Sequence, residues 1–206
     1  MKRSKSSVHW IEDHENDEYV QRARREGYRS RACYKLIEID NRYQLLKPGM
    51  TVVDLGAAPG GWTQVAVRRV GTGGRVVGID ILDMEHLPGA ELIKGDFTSE
   101  EALAELMQCL DGAAVDLVIS DMAPNLSGMK EIDQPRAMYL VELAMEFAKM
   151  TLNPGGGLLA KCFEGEGINQ ARQGIRRIFK QLSNVKPKAS RPKSREIYLL
   201  GRGFQA

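Results

Sequence analysis

Cysteine is scarce in this chain of 206 residues, and the three that occur, Cys33, Cys109 and Cys162, are widely spaced. Their number is odd, and no Cys-x-x-Cys pair is present. This pattern excludes a fold built on disulfide bonds and gives no reason to expect a metal site. We interpret the cysteines as packing residues that stay reduced, which is typical of a cytoplasmic protein.

Long apolar runs are also lacking. The sequence contains no stretch of about 18 apolar residues, so a membrane-spanning helix is not expected. Residues 1–7 include three basic side chains, as the start of a signal peptide would. Charged residues such as Glu12 and Asp13 follow them instead of an apolar stretch, so we expect no signal peptide. Because 43% of the residues are apolar, the chain is expected to fold rather than to remain disordered.

A large excess of either charge is absent overall, because 29 Lys and Arg residues face 27 Asp and Glu residues, for a net charge of +2. The distribution along the chain is uneven. Residues 1–47 hold 11 basic and 8 acidic side chains (net +3), residues 48–171 hold 8 and 18 (net −10), and residues 172–206 hold 10 and 1 (net +9). This pattern suggests carboxylate chemistry in the centre and basic ends that meet a polyanion.

The chain is expected to form one domain. Residues 1–20 lack an apolar period and are predicted to be a mobile N-terminal arm, and residues 21–206 to be a single domain in which 21–47 is a basic helical extension. Beyond this extension, short apolar runs alternate with helical stretches, which predicts a parallel sheet with helices on both faces. The predicted strands, which we expect to be buried on both faces, are 51–55, 75–80, 91–94, 115–120 and 157–163. The predicted helices are 62–70, 100–110, 135–152 and about 169–182, and a final apolar run occupies 197–200.

A glycine loop, Asp-Leu-Gly-Ala-Ala-Pro-Gly-Gly-Trp, occupies residues 54–62, where the first strand turns into the first helix of this sheet. Ligands bind at that edge of such sheets, and glycine lets them approach the backbone closely. The loop has neither the Gly-x-Gly-x-x-Gly spacing of dinucleotide sites nor the Gly-Lys-Ser/Thr of a P-loop. It therefore favours a nucleoside ligand without a phosphate chain, the alternative being a simple tight turn.

Two aspartates support a nucleoside ligand. Asp80 ends the second strand, 24 residues after Gly56, where an acidic side chain binds ribose hydroxyls in this architecture. Asp96 follows the third strand and could meet the edge of a base, or it could cap the helix that starts near Glu100.

Lys161 interrupts an apolar run that is expected to be a central strand. A lysine there should emerge at the carboxyl edge of the sheet, where loss of water would favour a neutral amine that can act as a base. The alternative is a lysine that only extends from the strand end into solvent. By themselves, Lys35 and Glu196 are interpreted as solvated charges.

The glycine loop, the string Ser-Asp-Met-Ala-Pro-Asn at 120–125 and the flanking Lys and Glu positions resemble the FtsJ/RrmJ-like RNA 2′-O-methyltransferase family, from about Tyr19 to Gly201. Within it, the chain is most similar to bacterial members that methylate a uridine ribose in the A-loop of 23S ribosomal RNA. The resemblance implies a class I S-adenosylmethionine-dependent methyltransferase (Rossmann-like) fold, a mostly parallel seven-stranded sheet with helices on both faces. It also implies S-adenosyl-L-methionine as cofactor, with contacts from Gly60, Trp62, Asp80, Asp96 and Asp121.

The same resemblance implies a catalytic tetrad of Lys35, Asp121, Lys161 and Glu196. Our hypothesis is that Lys161 accepts the hydroxyl proton, that Asp121 orients Lys161 and the cofactor, and that Lys35 and Glu196 position the ribose. Because two carboxylates near Lys161 would favour its charged form, Lys161 could instead act as an orienting donor. The Ala-Pro-Asn after Asp121 lacks the Pro-Pro-aromatic sequence that is typical of base-amine methylation, which favours a hydroxyl acceptor.

A basic run precedes each tetrad member from the ends of the chain, and phosphate contacts of this kind hold a nucleic acid in place. The runs are Arg22, Arg24, Arg25, Arg29 and Arg31, and Lys186, Lys188, Arg191, Lys193 and Arg195. We expect 23S ribosomal RNA or the large ribosomal subunit as the partner of a monomer, with no membrane and no metal. Two alternatives are an assembly factor without catalysis, which the intact tetrad disfavours, and a small-molecule O-methyltransferase, for which the basic runs would have no use.

Overall fold

The computed structural model describes residues 17–125 and 127–205. In chain order, their helices and strands are α1 (Glu18–Arg25), α2 (Cys33–Tyr43), β1 (Thr51–Leu55), α3 (Gly61–Val70), β2 (Arg75–Asp80), β3 (Glu91–Lys94), α4 (Glu100–Leu110), β4 (Val115–Ser120), α5 (Lys130–Thr151), β5 (Leu152–Phe163), α6 (Ile168–Ile178), β6 (Phe179–Val185) and β7 (Glu196–Phe204).

The described strands form one seven-stranded sheet in the order β3-β2-β1-β4-β5-β7-β6. The first five are parallel, and β7 lies antiparallel between β5 and β6. The strand order reverses between β1 and β4, so the crevice at their carboxyl ends is the place where ligands bind in such sheets. The predicted mostly parallel sheet is confirmed.

Strand alternation divides the core between the two faces of the sheet. On one face, Val53 and Leu158 pack with Leu106 of α4, Phe147 of α5 and Ile175 of α6. On the other face, the strands pack against α1, α2 and α3, with a core of Leu36, Trp62, Val65, Leu159, Tyr198 and Leu200. Helices therefore cover both faces, as predicted, and α2 is placed over the end of the sheet that carries β5 and β7.

Four sequence predictions need correction. The third strand was expected to be buried on both faces, but only Ile93 in it is buried, because β3 is an edge strand. The helix predicted at about 169–182 corresponds to α6, which ends at Ile178. The chain then continues directly as β6 without an intervening turn residue. The helix predicted at 135–152 corresponds to α5, which begins earlier, at Lys130, and includes Pro135 in its interior. Its predicted last residue, Leu152, belongs to β5.

The predicted N-terminal arm falls largely outside the described residues. Its last three residues, 18–20, belong to α1, so the boundary at residue 20 is too late. Asp17 caps this helix, because its carboxylate accepts a hydrogen bond from the main-chain N–H of Tyr19. Within 17–125 and 127–205, no helix is long and apolar enough to cross a membrane.

Candidate active site

The glycine loop between β1 and α3 needs its glycines for steric reasons. Gly56 has φ +77°, and a Cβ there would lie 2.6 Å from Cγ of Met122. Gly60 has φ +106°, and its Cβ would lie 2.9 Å from Nη1 of Arg29. The N–H groups of Gly56 and Ala57 donate to the carbonyl oxygen of Ile79 in β2, at 2.9 and 3.1 Å. The loop is therefore held against the sheet and leaves its backbone open to a ligand.

Arg29 fixes the outer side of this loop. Its guanidinium donates to the carbonyl oxygens of Pro59 (3.3 Å), Glu85 (2.8 Å) and His86 (2.8 Å). The glycine loop and the segment after β2 are thereby joined through one side chain. Arg29 was expected to contact RNA, and its donors are used within the protein instead.

A cavity of about 450 Å³ lies beside the glycine loop at the carboxyl ends of β1, β2 and β4. Three of the predicted cofactor residues, Asp80, Asp96 and Asp121, line it. Its wall also contains Gly56, Ala58, Ile81, Phe97, Met122 and Tyr139. A cavity that combines apolar surface with three carboxylates suits a ligand that carries hydroxyl groups and positive charge.

The cavity carboxylates are held by local hydrogen bonds. The two carboxylate oxygens of Asp80 accept from the N–H groups of Ala58 (3.0 Å) and Leu82 (2.9 Å), which fixes the glycine loop to the end of β2. Asp96 accepts from the hydroxyl and the N–H of Thr98, and these bonds lower the pKa of Asp96. Asp96 does not cap α4, because that role belongs to Ser99, whose side chain accepts from the N–H of Ala102.

Gly60 and Trp62, the other two predicted cofactor contacts, do not line the cavity. The Trp62 side chain is only 3% exposed, its indole N–H donates to the carbonyl oxygen of Ala32 (2.8 Å), and its ring lies 5.5 Å from that of Tyr198. This side chain is unavailable to a cofactor. What Trp62 can offer is its main-chain N–H, since it is the second residue of α3 and has no acceptor within the helix.

The four predicted catalytic residues lie close together, with Asp121 between the two lysines. Nζ of Lys161 lies 3.1 Å from Oδ1 of Asp121 and also donates to the main-chain carbonyl oxygen of the same residue. Nζ of Lys35 lies 2.8 and 2.9 Å from the two carboxylate oxygens of Glu196, and 4.0 Å from Oδ1 of Asp121. The tetrad is thus one connected array of two cations and two carboxylates.

Sequence reasoning missed Tyr198, which completes this array. Its hydroxyl donates to Oδ1 of Asp121 at 2.7 Å. Burial and then the nearby carboxylates of Asp121 and Glu196 raise the pKa of Tyr198 well above its ordinary value. Tyr198 pairs with Lys161 across β5 and β7 and lies two residues after Glu196, on the same face of β7. The spacing of two residues between Glu196 and Tyr198 could have predicted that both side chains lie on the same face of the strand.

The segments that carry the two basic runs are in contact with each other. The carboxylate of Glu38 on α2 accepts from the N–H groups of Lys188 (2.6 Å) and Ala189 (3.1 Å), and Arg31 donates to the carbonyl oxygen of Ala189. The segment 186–195 is therefore bound to the start of α2. Eight members of the two runs are exposed. One of them, Arg22, pairs with Glu26. The other seven are Arg24, Arg25, Lys186, Lys188, Arg191, Lys193 and Arg195.

Asp54, the first residue of the glycine string, is fully buried beneath the site. One carboxylate oxygen accepts from the hydroxyl of Thr63 at 2.7 Å, and the other has no partner among the described residues. Burial, reinforced by the nearby charges of Asp121 and Asp80, raises the pKa of Asp54 to about 7.

The raised pKa of Asp54 predicts a pH-dependent stability. Since the folded state holds this proton more tightly than the unfolded chain, whose value is near 3.8, the stabilising contribution is complete below about pH 4 and is lost as the pH rises through about 7. Relative to Asp54→Asn, the free energy of unfolding of the wild type should fall by on the order of 4 kcal/mol between pH 4 and pH 8. Urea unfolding at several pH values measures this difference, and parallel curves for the two proteins would contradict it.

Among residues 17–125 and 127–205, no group of three or more His, Cys, Asp or Glu side chains is arranged to hold a metal ion.

The sequence is similar to curated proteins over its whole length. It is 57% identical over 201 residues to the ribosomal RNA large subunit methyltransferase E of Azoarcus sp. (strain BH72), which covers 98% of both chains. It is 52% identical over 205 residues to the protein of the same name from Pseudomonas aeruginosa (strain PAO1), which covers 100% of this chain and 99% of that relative.

Two solved structures resemble the fold. A ribosomal RNA methyltransferase of Plasmodium falciparum, described as putative, superposes with a TM-score of 0.78 at 31% identity and covers 86% of this chain and 98% of its own. Fibrillarin of Aeropyrum pernix, solved with bound S-adenosyl-L-methionine, superposes with a TM-score of 0.54 at 16% identity and covers 84% of this chain and 75% of its own. The expected class I methyltransferase fold is confirmed. The FtsJ-like methyltransferase pattern matches residues 28–204, and the chain belongs to that family.

Proposed function

We propose that this protein transfers the methyl group of S-adenosyl-L-methionine to the ribose 2′-hydroxyl of a uridine in 23S ribosomal RNA, on the assembled or assembling large subunit. The observation that carries this proposal is the tetrad, which lies at the edge of the 450 Å³ cavity beside the glycine loop. Its members are Lys35, Asp121, Lys161 and Glu196. Relatives at 52 to 57% identity are named as large subunit ribosomal RNA methyltransferases.

The residues around the cavity fit this cofactor. Gly56 lines the cavity and has no room for a side chain, because Met122 packs against it, so the loop and Met122 lie in close contact at the cavity wall. The three carboxylates that line the cavity complement the cofactor's two positive charges and its ribose hydroxyls. When bound, S-adenosylmethionine supplies a methyl group on a positively charged sulfur, which is already activated for transfer.

Within the cavity, we assign Asp80 to the ribose hydroxyls and Asp96 to the edge of the base. Asp80 lies at the carboxyl end of β2, as such a residue does in nucleoside-binding sheets of this kind. Asp96 follows β3 on the exposed side of the same cavity. Gly60 and Trp62 would contribute main-chain groups, because the Trp62 indole is committed to Ala32.

Lys161 is the group placed to act on the acceptor hydroxyl. Its side chain is 8% exposed, its Nζ donates to the main-chain carbonyl oxygen of Asp121, and it lies 3.1 Å from Oδ1 of the same residue. As a cation, Lys161 would orient the 2′-hydroxyl. As a neutral amine it would accept the hydroxyl proton while the bond between the 2′-oxygen and the methyl carbon forms and the bond between that carbon and the sulfur breaks. Asp121 is thus the residue that holds Lys161 in position.

Lys35 and Glu196 are assigned to positioning the ribose. They form a nearly buried ion pair, and Glu196 also accepts from the hydroxyl of Ser190 at 2.8 Å. Such a pair presents a donor and an acceptor at fixed positions beside Asp121, which suits a sugar with neighbouring hydroxyl groups. The assembled tetrad disfavours an assembly factor without catalysis.

We further propose that the chain from α1 onward acts as one domain, in which the segment up to residue 47 is an RNA-facing extension, and that the protein is a cytoplasmic monomer. The contacts of Glu38 and Arg31 with the segment 186–195 support the first point, since they join the extension to the domain.

Tyr198→Phe should lower kcat by about 10- to 100-fold with little change in the KM for the cofactor. The substitution keeps the ring that packs on Trp62 but removes the hydroxyl bond to Asp121, and a hydrogen bond to a charged group contributes about 1.5 to 3 kcal/mol. Steady-state methylation of large subunits measures both constants. Tyr43→Phe, on α2 and outside the array, is the control, and equal kcat values for the two variants would contradict the role of Tyr198.

The proposed function is tested by incubating the protein with cofactor labelled in the methyl group and, separately, with free 23S RNA, large subunits and whole ribosomes. We expect transfer to large subunits or to free RNA, and a 2′-O-methyluridine when the labelled position is mapped. Transfer to none of these substrates, or to a base nitrogen, would defeat the proposal.

A further inference from the structure

A second cavity, of about 260 Å³, lies beside the tetrad and shares no lining residue with the cofactor cavity. It forms where the start of α2 meets the segment 186–195. Its lining residues are Arg31, Ala32, Lys35, Ala189, Arg191, Ser194 and Glu196. Only Lys35 and Glu196 among them belong to the tetrad, so the cavity extends the active site away from the cofactor.

The charges around this cavity are predominantly positive. Three cations, Arg31, Lys35 and Arg191, face one carboxylate, that of Glu196. Both oxygens of that carboxylate are already engaged, one by Lys35 and Ser190 and the other by Lys35. The carboxylate therefore offsets Lys35, and Asp17, which lies outside the lining, offsets Arg31. The guanidinium group of Arg191 is the positive charge in the wall that has no ion-pair partner among the described residues.

Arg31 and Arg191 are brought together although their charges repel. Burial, and after it the charge of Arg191, lower the pKa of Arg31. Arg31 is held in place by its ion pair with Asp17 and by its bond to the carbonyl oxygen of Ala189. An anion between the two guanidinium groups would relieve this repulsion, and planar guanidinium donors match phosphate oxygens.

Ser194 adds a neutral donor to the wall. Its side-chain oxygen accepts from the N–H of Glu196 at 3.1 Å, which leaves the hydroxyl hydrogen for another acceptor. The cavity thus offers two cations and a hydroxyl directly beside the Lys35 and Glu196 pair.

We infer that this cavity binds a phosphodiester group of the RNA strand next to the ribose that is methylated. The inference rests on the proposed function, because Lys35 and Glu196 form part of both the cavity and the ribose site. A phosphate seated there would fix the register of the strand, so that one nucleotide presents its 2′-hydroxyl to Lys161. An acidic peptide of a ribosomal protein would be the other anion of suitable charge, and it is separated by the experiment below.

The test compares Arg191→Gln with Lys193→Gln. Both residues are exposed and lie in the same segment, and each variant removes one positive charge, but only Arg191 lines the cavity. Binding to protein-free 23S RNA and to large subunits is measured over a range of salt concentrations, and cofactor binding is measured as a check of the fold. We expect Arg191→Gln to weaken RNA binding about tenfold and to reduce the log–log salt slope by about 0.7 to 0.9, the value for one phosphate contact.

Lys193→Gln should weaken RNA binding less than threefold, with cofactor binding unchanged in both variants. Equal effects of the two substitutions would overturn the phosphate site, since only the overall charge would then matter. A loss confined to large subunits, with free RNA bound normally by Arg191→Gln, would also overturn it and would point to a protein partner. Because RNA binding is measured without methyl transfer, a selective effect of Arg191→Gln in a protein that transfers no methyl group would support the phosphate site while the proposed function failed.

Discussion

Replacing Lys161 with alanine should slow single-turnover methyl transfer to the large ribosomal subunit by about 10²- to 10⁴-fold, the range typical of a lost general base. The reason is geometric: Lys161 is the cation held by Asp121 at the edge of the cofactor cavity, and no other described lysine contacts Asp121 within 3.5 Å. Binding of the cofactor should change little, since Asp80 and Asp96 are untouched by the substitution.

Lys161→Arg separates the two roles considered for this residue. Arginine keeps the charge and the donors but does not release a proton near neutral pH, so a base is lost while an orienting cation is retained. We expect the arginine variant to be nearly as slow as the alanine variant. An arginine variant that retains near-normal single-turnover rates would overturn the base assignment. The control is Lys149→Ala, which removes an exposed lysine paired with Glu146 on α5 and should leave the rate unchanged.

Gly56→Ala should weaken cofactor binding by about 100-fold or more and also destabilise the fold. A side chain at φ +77° is strained by roughly 1 to 2 kcal/mol, and the new Cβ would lie 2.6 Å from Cγ and 3.1 Å from the main chain of Met122. Met122 lines the cavity that we propose for the cofactor, as Gly56 does, so the clash would push these two parts of the cavity wall apart.

Gly112→Ala is the matched control for this second prediction. Gly112 has a similar φ of +71°, but no atom lies within 4 Å of the position that a Cβ would occupy, and it does not line the cavity. It should therefore share the backbone strain without the loss of cofactor affinity. Calorimetric titration with S-adenosylmethionine and urea unfolding of both variants measure the two effects. Equal cofactor affinities in the two variants would contradict a steric role for Gly56.

The N-terminal extension contacts both the glycine loop and the tetrad. Arg29 holds the glycine loop through Pro59 and the segment after β2 through Glu85, and Lys35 follows on α2 and pairs with Glu196. The basic residues of the extension were expected to bind RNA, but Arg29 instead holds the glycine loop and Lys35 belongs to the tetrad. Arg24 and Arg25 are exposed, and we propose that side chains of this kind contact the RNA.

Strands and loops with strong local patterns were predictable. The apolar runs of β1, β2 and β4 begin and end where they were expected, because strands buried on both faces leave a continuous apolar signature. Strand β6 was not predictable in the same way. It is an edge strand with polar residues such as Lys180 and Gln181, and it follows α6 without a glycine or proline to mark the change.

The α/β architecture and the position of the glycine loop follow from the order of residues along the chain, and the family resemblance adds the four tetrad residues. The contacts of each side chain depend on the packing of distant segments: Lys35 and Glu196 lie 161 residues apart and meet because α2 packs over the face of the sheet where β7 pairs with β5. The same pairing places Tyr198 beside Lys161, and the contact between α3 and the residue before α2 binds the Trp62 indole to Ala32. Local periodicity records which face of a strand is buried, but it carries no information on which distant strand or helix covers that face, and those long-range contacts form the site.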